Sequence, residues 1–506
     1  MHSVRCRGFC LSFLVLGTLG VAPAPATTFP IVVVADDFTA NGNCTLREAL
    51  FAAVNNIAVD ACPAGSFAGP DTIELTAGTY LLPLGVLDAT GCADLTVRGP
   101  AASPPTAVLS GGTSHRVIDL QGGGNLTLED LELRDGRDLG TSTPIGGAVR
   151  VIEASLTVRR SRFSANFARR GGAIGWAAIG AARSLTVENS VFDSNRAQHP
   201  DAADQAEGGA LWTNGVSGAA QRISDTLFVG NHAESALASD SVRGGAAHLA
   251  TEGSGSVVVV ERTRFTGNSA EVTGAGGFAT AGALNTYFQG STVRFEDVEV
   301  SGNTVAAATA MGGTGLAMLF FGSTQGTLDR LRVADNTAGA AVDQAQFSVQ
   351  SSAFVLLRDA LVVQGEGGAL VSAFNAGVAL LSQLTVADNT AVGLELDQAG
   401  TGGISLVNSI VFGNGTNIQT LGTPAILPAN LVGIDPLFID AAGGDYTLAA
   451  GSLAVDAGDI AFSGIGPYDL GHGARLVGSE TDLGAYERGA LFNDGFESGT
   501  TGVWSW

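Results

Sequence analysis

Between Phe163 and Asn414 the chain repeats one short pattern: an aromatic or branched residue, two small or polar residues, then Asn. It reads Phe163-Ser-Ala-Asn166, Phe192-Asp-Ser-Asn195, Phe228-Val-Gly-Asn231, Phe265-Thr-Gly-Asn268, Val300-Ser-Gly-Asn303, Val333-Ala-Asp-Asn336, Val386-Ala-Asp-Asn389 and Val411-Phe-Gly-Asn414. Successive Asn lie 29, 36, 37, 35, 33, 53 and 25 residues apart, and the gap of 53 splits into 28 and 25 if Leu361 to Gln364 is a degenerate unit. Period-two alternation opens each unit, as in Leu156-Thr-Val158 and Leu185-Thr-Val187, the mark of a strand with one buried face. Several units then carry Gly-Gly-Ala, at Gly171, Gly208, Gly244 and Gly367. One turn of such a chain cannot bury its apolar side alone, so the turns must stack. The expected fold is an all-β parallel β-helix of about 12 coils, a rod roughly 55 to 60 Å long at strand spacing.

The residue types fit that geometry. Asn tolerates the left-handed backbone of a sharp corner, and Asn side chains stacked about 4.8 Å apart can hydrogen-bond along the axis. Asn166, Asn195, Asn231, Asn268, Asn303, Asn336, Asn389 and Asn414 are therefore expected to form a ladder, with Phe163, Phe192, Phe228 and Phe265 stacked inside. Gly pairs allow positive φ at turns. The open ends of the stack need covers. Thr45-Leu46-Arg47-Glu48 reads as a capping box, and Leu46, Ala49, Leu50, Ala53, Val54 and Ile57 follow at helical spacing. This short helix, with a strand Ile31 to Val34, is expected to plug the N-terminal end.

Charge and cysteine usage bear on location. Arg5 and Arg7 precede an apolar stretch, Phe9 to Leu19, and a small-residue site ending at Ala26, the three parts of a secretory signal. The stretch is too short to span a membrane, which takes roughly 20 residues, and no later segment reads as membrane-spanning. All 25 basic residues are Arg against 48 acids, giving −23; losing Arg5 and Arg7 leaves 23 − 48 = −25. Such a surface repels a nucleic-acid backbone. After cleavage Cys44, Cys62 and Cys92 remain; an oxidising compartment allows one bridge, and Cys44 with Cys62 is the closest pair, leaving Cys92 as a buried thiol. Their spacing gives no zinc site.

Cys44-Thr-Leu-Arg-Glu-Ala-Leu, followed by Asp71-Thr-Ile-Glu-Leu and Leu95-Thr-Val-Arg-Gly99, resembles the N-terminal region of exported bacterial proteins named for a Cys-Ser-Leu-Arg-Glu-Ala motif, with Thr replacing the Ser. The Gly-Gly-Ala and Phe-x-x-Asn units resemble those of chlamydial polymorphic outer-membrane proteins. Asp435-Pro-Leu-Phe438, Asp445-Tyr-Thr-Leu448, Gly451-Ser-Leu-Ala-Val-Asp456-Ala-Gly458 and Asp482-Leu-Gly-Ala-Tyr486 resemble the choice-of-anchor Q domain. Asp494-Gly-Phe-Glu-Ser-Gly499, ending in Trp504-Ser-Trp506, is similar to a short tail on secreted proteins of Gram-negative bacteria. The resemblance implies a right-handed β-helix exported to the outer surface or beyond, and carries no reaction with it. The expected organisation is a signal over 1–26, a cap over 27–70, the β-helix over 71–420, a C-terminal cap over 421–488 and a tail over 489–506.

No catalytic constellation stands out. Hydrolysis of a glycan wants paired carboxylates about 5 to 9.5 Å apart, and Asp335, Asp388 and Asp359 are the candidates, in unlike registers. Gly471-His472-Gly473 lacks accompanying acidic motifs. His199-Pro-Asp201-Ala-Ala-Asp204-Gln-Ala-Glu207 reads as a solvated acidic loop, without the ordered ligand spacing of a calcium site. A nucleophile elbow, a phosphate loop and a zinc-protease motif are all missing, so no cofactor and no metal are expected. The one uneven feature is nine Arg from Arg134 to Arg183 against three acids, a local +6. Alternation turns Arg159 and Arg162 outward; with Arg169 and Arg170 they are the candidate contacts for an anionic glycan, since guanidinium grips carboxylate in bidentate fashion. The expected function is a monomeric, non-catalytic secreted or surface protein acting in adhesion or matrix contact, with an extracellular glycan or surface protein as partner. The alternative is a lyase or hydrolase of acidic polysaccharide.

Overall fold

The computed structural model describes residues 26–67, 69–138, 140, 145–180, 182–199, 205–307, 309–310, 312–339, 345–462 and 464–489. The signal segment before Ala26, the Asp494 to Trp506 tail and residues 200–204 of the acidic loop lie outside the described residues. The chain is a right-handed parallel β-helix, the hand that parallel crossovers take. A 22-stranded sheet supplies two short strands or one bent strand to most coils, and a 12-stranded sheet closes the opposite side. Coils 167 to 339 add a six-stranded sheet, and four of them a further four-stranded one, which together form a fin beside the rod. The fin has its own small core of Ala197, Ala233, Val242, Ala270 and Ala279. The longer repeats of 36, 37 and 35 residues are the coils that build it.

The N-terminal helix spans Leu46–Asn55, with the Thr45 and Glu48 capping box formed in both directions. Asn56 ends it in the left-handed conformation, so Ile57 lies past the helix and is exposed. The first strand is Thr27–Ile31 rather than Ile31 to Val34. Phe29 and Ile31 face inward and pair beside Ile73 and Leu75, whereas Val32 and Val34 are exposed. Pro30 is tolerated because this is an edge strand, where a missing N–H leaves no ladder bond unmade. Cys44 and Cys62 form a disulfide. Cys92 is a buried free thiol, its pKa pushed up to about 11 by burial and by Asp94.

Inside the rod, Phe163, Phe192, Phe228 and Phe265 stack at 4.9, 4.7 and 4.7 Å with ring planes within 9°. Beside them runs an amide ladder. Asn195 Nδ2 donates to Asn231 Oδ1 at 3.0 Å, and Asn231 Nδ2 to Asn268 Oδ1 at 2.9 Å; the same bond recurs from Asn166 to Asn336. The left-handed residue is not the Asn. It is the residue just before, from Ala165 and Ser194 through Gly230 to Asp335 and Asp388, with φ between 52° and 71°. Asn is chosen instead for its amide, which satisfies buried backbone groups on the neighbouring coils.

The degenerate unit is shifted by one residue from the expected Leu361 to Gln364. Val333 pairs with Val362 and Ala334 with Val363, so Gln364 takes the left-handed slot of Asp335 and Asp388, with φ 56°. The ladder slot falls on Gly365. Gln346 reaches across the interior to fill it, accepting from Asn336 Nδ2 at 3.2 Å and donating to Asn389 Oδ1 at 2.8 Å. The ladder then resumes from Asn389 to Asn414.

A second left-handed column divides each bent strand of the long sheet. It holds Asp130, Arg160, Asn189, Asp225, Arg262, Asp297, Arg330, Asp359, Gln383 and Asn408, with φ between 45° and 55°. Opposite charges on successive coils pair along it: Arg160 with Asp130, Arg262 with Asp225 and Arg330 with Asp297. Asp359 belongs to this column while Asp335 and Asp388 belong to the other, which physically separates the three acids.

The C-terminal segment folds back along this corner. Tyr446 Oη donates to Asp388 Oδ2 at 3.0 Å, Ala485 N to Thr385 Oγ1 at 2.9 Å and Gln364 Nε2 to the Ala441 carbonyl at 3.1 Å. Arg475 Nε lies 3.3 Å from Asp359 Oδ1, both side chains fully buried, and His472 Nε2 lies 3.3 Å from Asp297 Oδ1. Burial pushes Asp359 and Glu487 each up to about 7. A carboxyl raised in the docked state holds its proton more tightly there, so docking is strongest near the ordinary carboxyl pKa and weakens as pH climbs to about 7. Hydrogen exchange at the Ala485 and Glu487 amides, corrected for intrinsic rate, is expected to speed up about tenfold or more from pH 5 to pH 8. Slower corrected exchange at pH 8 would remove these two carboxyls as the cause.

Candidate functional site

Alternation on the 12-stranded sheet decides which side chains reach solvent. Leu284, Thr286 and Phe288 point into the rod, so Tyr287 points out. On Leu316–Phe321 the outward residues are Ala317, Leu319 and Phe321; on Gly367–Asn375 they are Leu370, Ser372 and Phe374. Tyr287, Phe321 and Phe374 are half-buried, and their rings touch in sequence, with centroids 5.0 and 5.9 Å apart. Ser352 stands between Phe321 and Phe374 in the stack, small enough to let the rings meet. Gln350 and Ser372 flank them with amide and hydroxyl groups.

The next strand, Val392–Gly400, buries Leu394 and Leu396 and so turns Glu395 and Asp397 outward. The two lie two residues apart on one strand, so their carboxylates leave the same face of the sheet. Ser372 Oγ donates to Asp397 Oδ2 at 3.2 Å, and Asp397 Oδ1 has no hydrogen-bond partner among the described residues.

Toward the N-terminal end the fin meets this face. Glu207 is buried rather than a solvated loop acid. It lies 3.2 Å from Arg170 Nε and 3.4 Å from Arg243 Nη1, and accepts from Trp212 Nε1 at 2.9 Å. Arg170 lies over the Trp212 ring, 5.7 Å from its centroid. His248 follows Trp212 one coil on, its Nδ1 2.9 Å from Asn285 Oδ1; burial holds it below the usual imidazole range.

The four arginines singled out from sequence do not form one patch. Arg159 and Arg162 lie on the long sheet, either side of left-handed Arg160. Arg169 and Arg170 follow the fin strand Phe167–Ala168. Arg159 Nε lies 3.1 Å from Glu188, and Arg162 pairs with Asp193. The acids expected of a hydrolase are likewise engaged: Asp388 by Tyr446, and Asp359 by Arg475. Tyr287, Phe321, Phe374, Glu395 and Asp397 were legible as outward positions of alternating strands. They carry no motif.

No protein-family model matches the chain, and no curated protein matches it. Among solved structures it is similar to pectate lyase Pel9A, at 12% identity and TM-score 0.30, over 93% of this chain and 98% of that one. It is also similar to the catalytic unit of a thermostable GH87 α-1,3-glucanase from Streptomyces thermodiastaticus strain HF3-3, at 15% identity and TM-score 0.30, over 72% of this chain and 64% of that one. Likeness this distant assigns neither reaction nor substrate. The chain is an all-β parallel β-helix with an aromatic outer face.

Proposed function

We propose that this is an exported, non-catalytic β-helix protein that binds a neutral polysaccharide along the outer face of its 12-stranded sheet. The contiguous rings of Tyr287, Phe321 and Phe374 carry this reading. The C–H face of a pyranose is apolar and packs on an aromatic ring, while its hydroxyls need amide, hydroxyl and carboxylate partners. Gln350, Ser372 and Asp397 supply those beside the rings. A disulfide fits an oxidising compartment, and no helix among the described residues is long and apolar enough to cross a membrane. The Cys44-Thr-Leu-Arg-Glu-Ala segment, the Gly-Gly-Ala units and the C-terminal motifs support membership of the exported surface proteins they resemble, with adhesion or matrix contact as the role.

Retention on immobilised neutral glucans is expected to weaken at least about tenfold when Tyr287, Phe321 and Phe374 are all replaced by Ala, with unchanged circular dichroism. Equal retention by that variant would sink the assignment. An anionic-glycan contact at either pair, Arg159 with Arg162 on the long sheet or Arg169 with Arg170 beside the fin, would show instead as uronate retention lost when that pair is replaced by Ser. The second reading is a hydrolase, favoured by Glu395 and Asp397 sharing one face beside the rings. In that case Glu395→Gln and Asp397→Asn would each abolish release of reducing ends.

A further inference from the structure

A different group of side chains lies on the fin. On the strand His232–Ser235, His232 and Glu234 point outward, while Ala233 packs into the small core. The next strand, Ser269–Val272, sets Ser269 opposite His232 and Glu271 opposite Glu234. His232 Nε2 lies 2.7 Å from Glu234 Oε2 and 3.8 Å from Glu271 Oε2, and the three donor atoms all fall within 4.8 Å of one another. His232 Nδ1 is 2.6 Å from Ser269 Oγ.

We propose that His232, Glu234 and Glu271 form a binding site for one divalent transition metal of the zinc class. A tetrahedral ion with bonds of about 2.0 to 2.2 Å needs donors about 3.3 Å apart, and the observed 2.7 and 3.8 Å bracket that value. Ser269 is placed to hold the imidazole by its other nitrogen, as the outer partners of metal-bound histidines do. Arg196 occupies the second oxygen of Glu234, which leaves Oε2 as a single donor. A nitrogen and two single oxygens suit zinc, cobalt or copper and not calcium, which takes six to eight oxygens. All three side chains are partly exposed, so a fourth position stays open to water or to a group on another molecule. The site lies on the fin, and neither the polysaccharide reading nor its failure bears on it.

Zinc uptake by the tag-free full chain, stripped of metal, is the test, by titration calorimetry near pH 7.5 in a non-coordinating buffer. One equivalent is expected, with affinity falling about a hundredfold in His232→Ala and about tenfold in Glu271→Gln. Cobalt in place of zinc should give visible absorption that both variants weaken. Calcium and magnesium should not compete. No zinc uptake, or uptake and cobalt absorption unchanged in both variants, would overturn the proposal; because Glu271 is the most exposed of the three, its variant serves if His232→Ala fails to fold.

Discussion

Replacing Asn231 by Ala is expected to destabilise the rod by about 3 to 5 kcal/mol, far more than its small volume suggests. The side chain is fully buried. Its Oδ1 accepts from the Asn195 backbone N–H and from Asn195 Nδ2, both at 3.0 Å. Its Nδ2 donates to the Phe192 carbonyl and to Asn268 Oδ1, both at 2.9 Å. Ala removes all four bonds at once: the Asn195 backbone N–H and Nδ2 lose their acceptor in a dry interior, the Phe192 carbonyl loses a donor, and Asn268 Oδ1 keeps only its bond from the backbone N–H of residue 231. Each unsatisfied group costs about 1 to 3 kcal/mol, offset in part where a neighbour re-pairs. Asn231→Asp keeps the acceptor but places a charge, or a single donor, where two N–H groups stood, so it should be no milder. Denaturant midpoints compare the variants with the native chain. A loss below about 1 kcal/mol would mean that water enters the ladder and satisfies it.

The break in the ladder makes a sharper prediction. Gly365 occupies an Asn slot without a side chain, and a Cβ there would overlap Gln346. Gly365→Asn alone should therefore be severely destabilising, by about 3 kcal/mol or more. Gln346→Ala alone removes the acceptor for Asn336 N at 2.8 Å and the donors to the Val363 carbonyl at 2.9 Å and to Asn389 at 2.8 Å, a loss of about 2 to 4 kcal/mol. The two changes together vacate the slot and refill it with the residue every other rung uses. The double variant should regain most of the loss, with a coupling of about 2 kcal/mol or more in a double-mutant cycle. Additive losses would mean that Gln346 and the ladder amides are not interchangeable.

Much of this fold is legible in the sequence alone. Period-two alternation, Phe-x-x-Asn and Gly-Gly-Ala each repeat at coil length, and repetition fixes a stacked fold because every coil must match its neighbours. The Cys44–Cys62 pair and the Thr45 capping box are local signals and were equally legible. The rung supplied by Gln346 was not, because it comes from the opposite sheet of the same coil and has no fixed offset from Gly365. The corner column of Asp225, Arg262, Asp297 and Arg330 was hidden for the same kind of reason: its charge pairs join residues 33 to 37 apart and show only once strands are in register. The arginine-rich stretch looked like a basic patch in one dimension. In three, Arg159, Arg160 and Arg162 each meet an acid from a neighbouring coil. The aromatic face was visible position by position through alternation, but Tyr287, Phe321 and Phe374 lie on three different coils, and nothing in their spacing announces that the rings touch.

Incubating the purified chain with neutral and acidic polysaccharides, and following retention, new reducing ends and unsaturated products in the same samples, separates binding from cleavage. Retention of neutral glucans is expected, with no new ends and no unsaturated products. Release of either product, or no retention of neutral glucans, would overturn the binding reading; release abolished by Glu395→Gln or Asp397→Asn would make the aromatic face the floor of an active site.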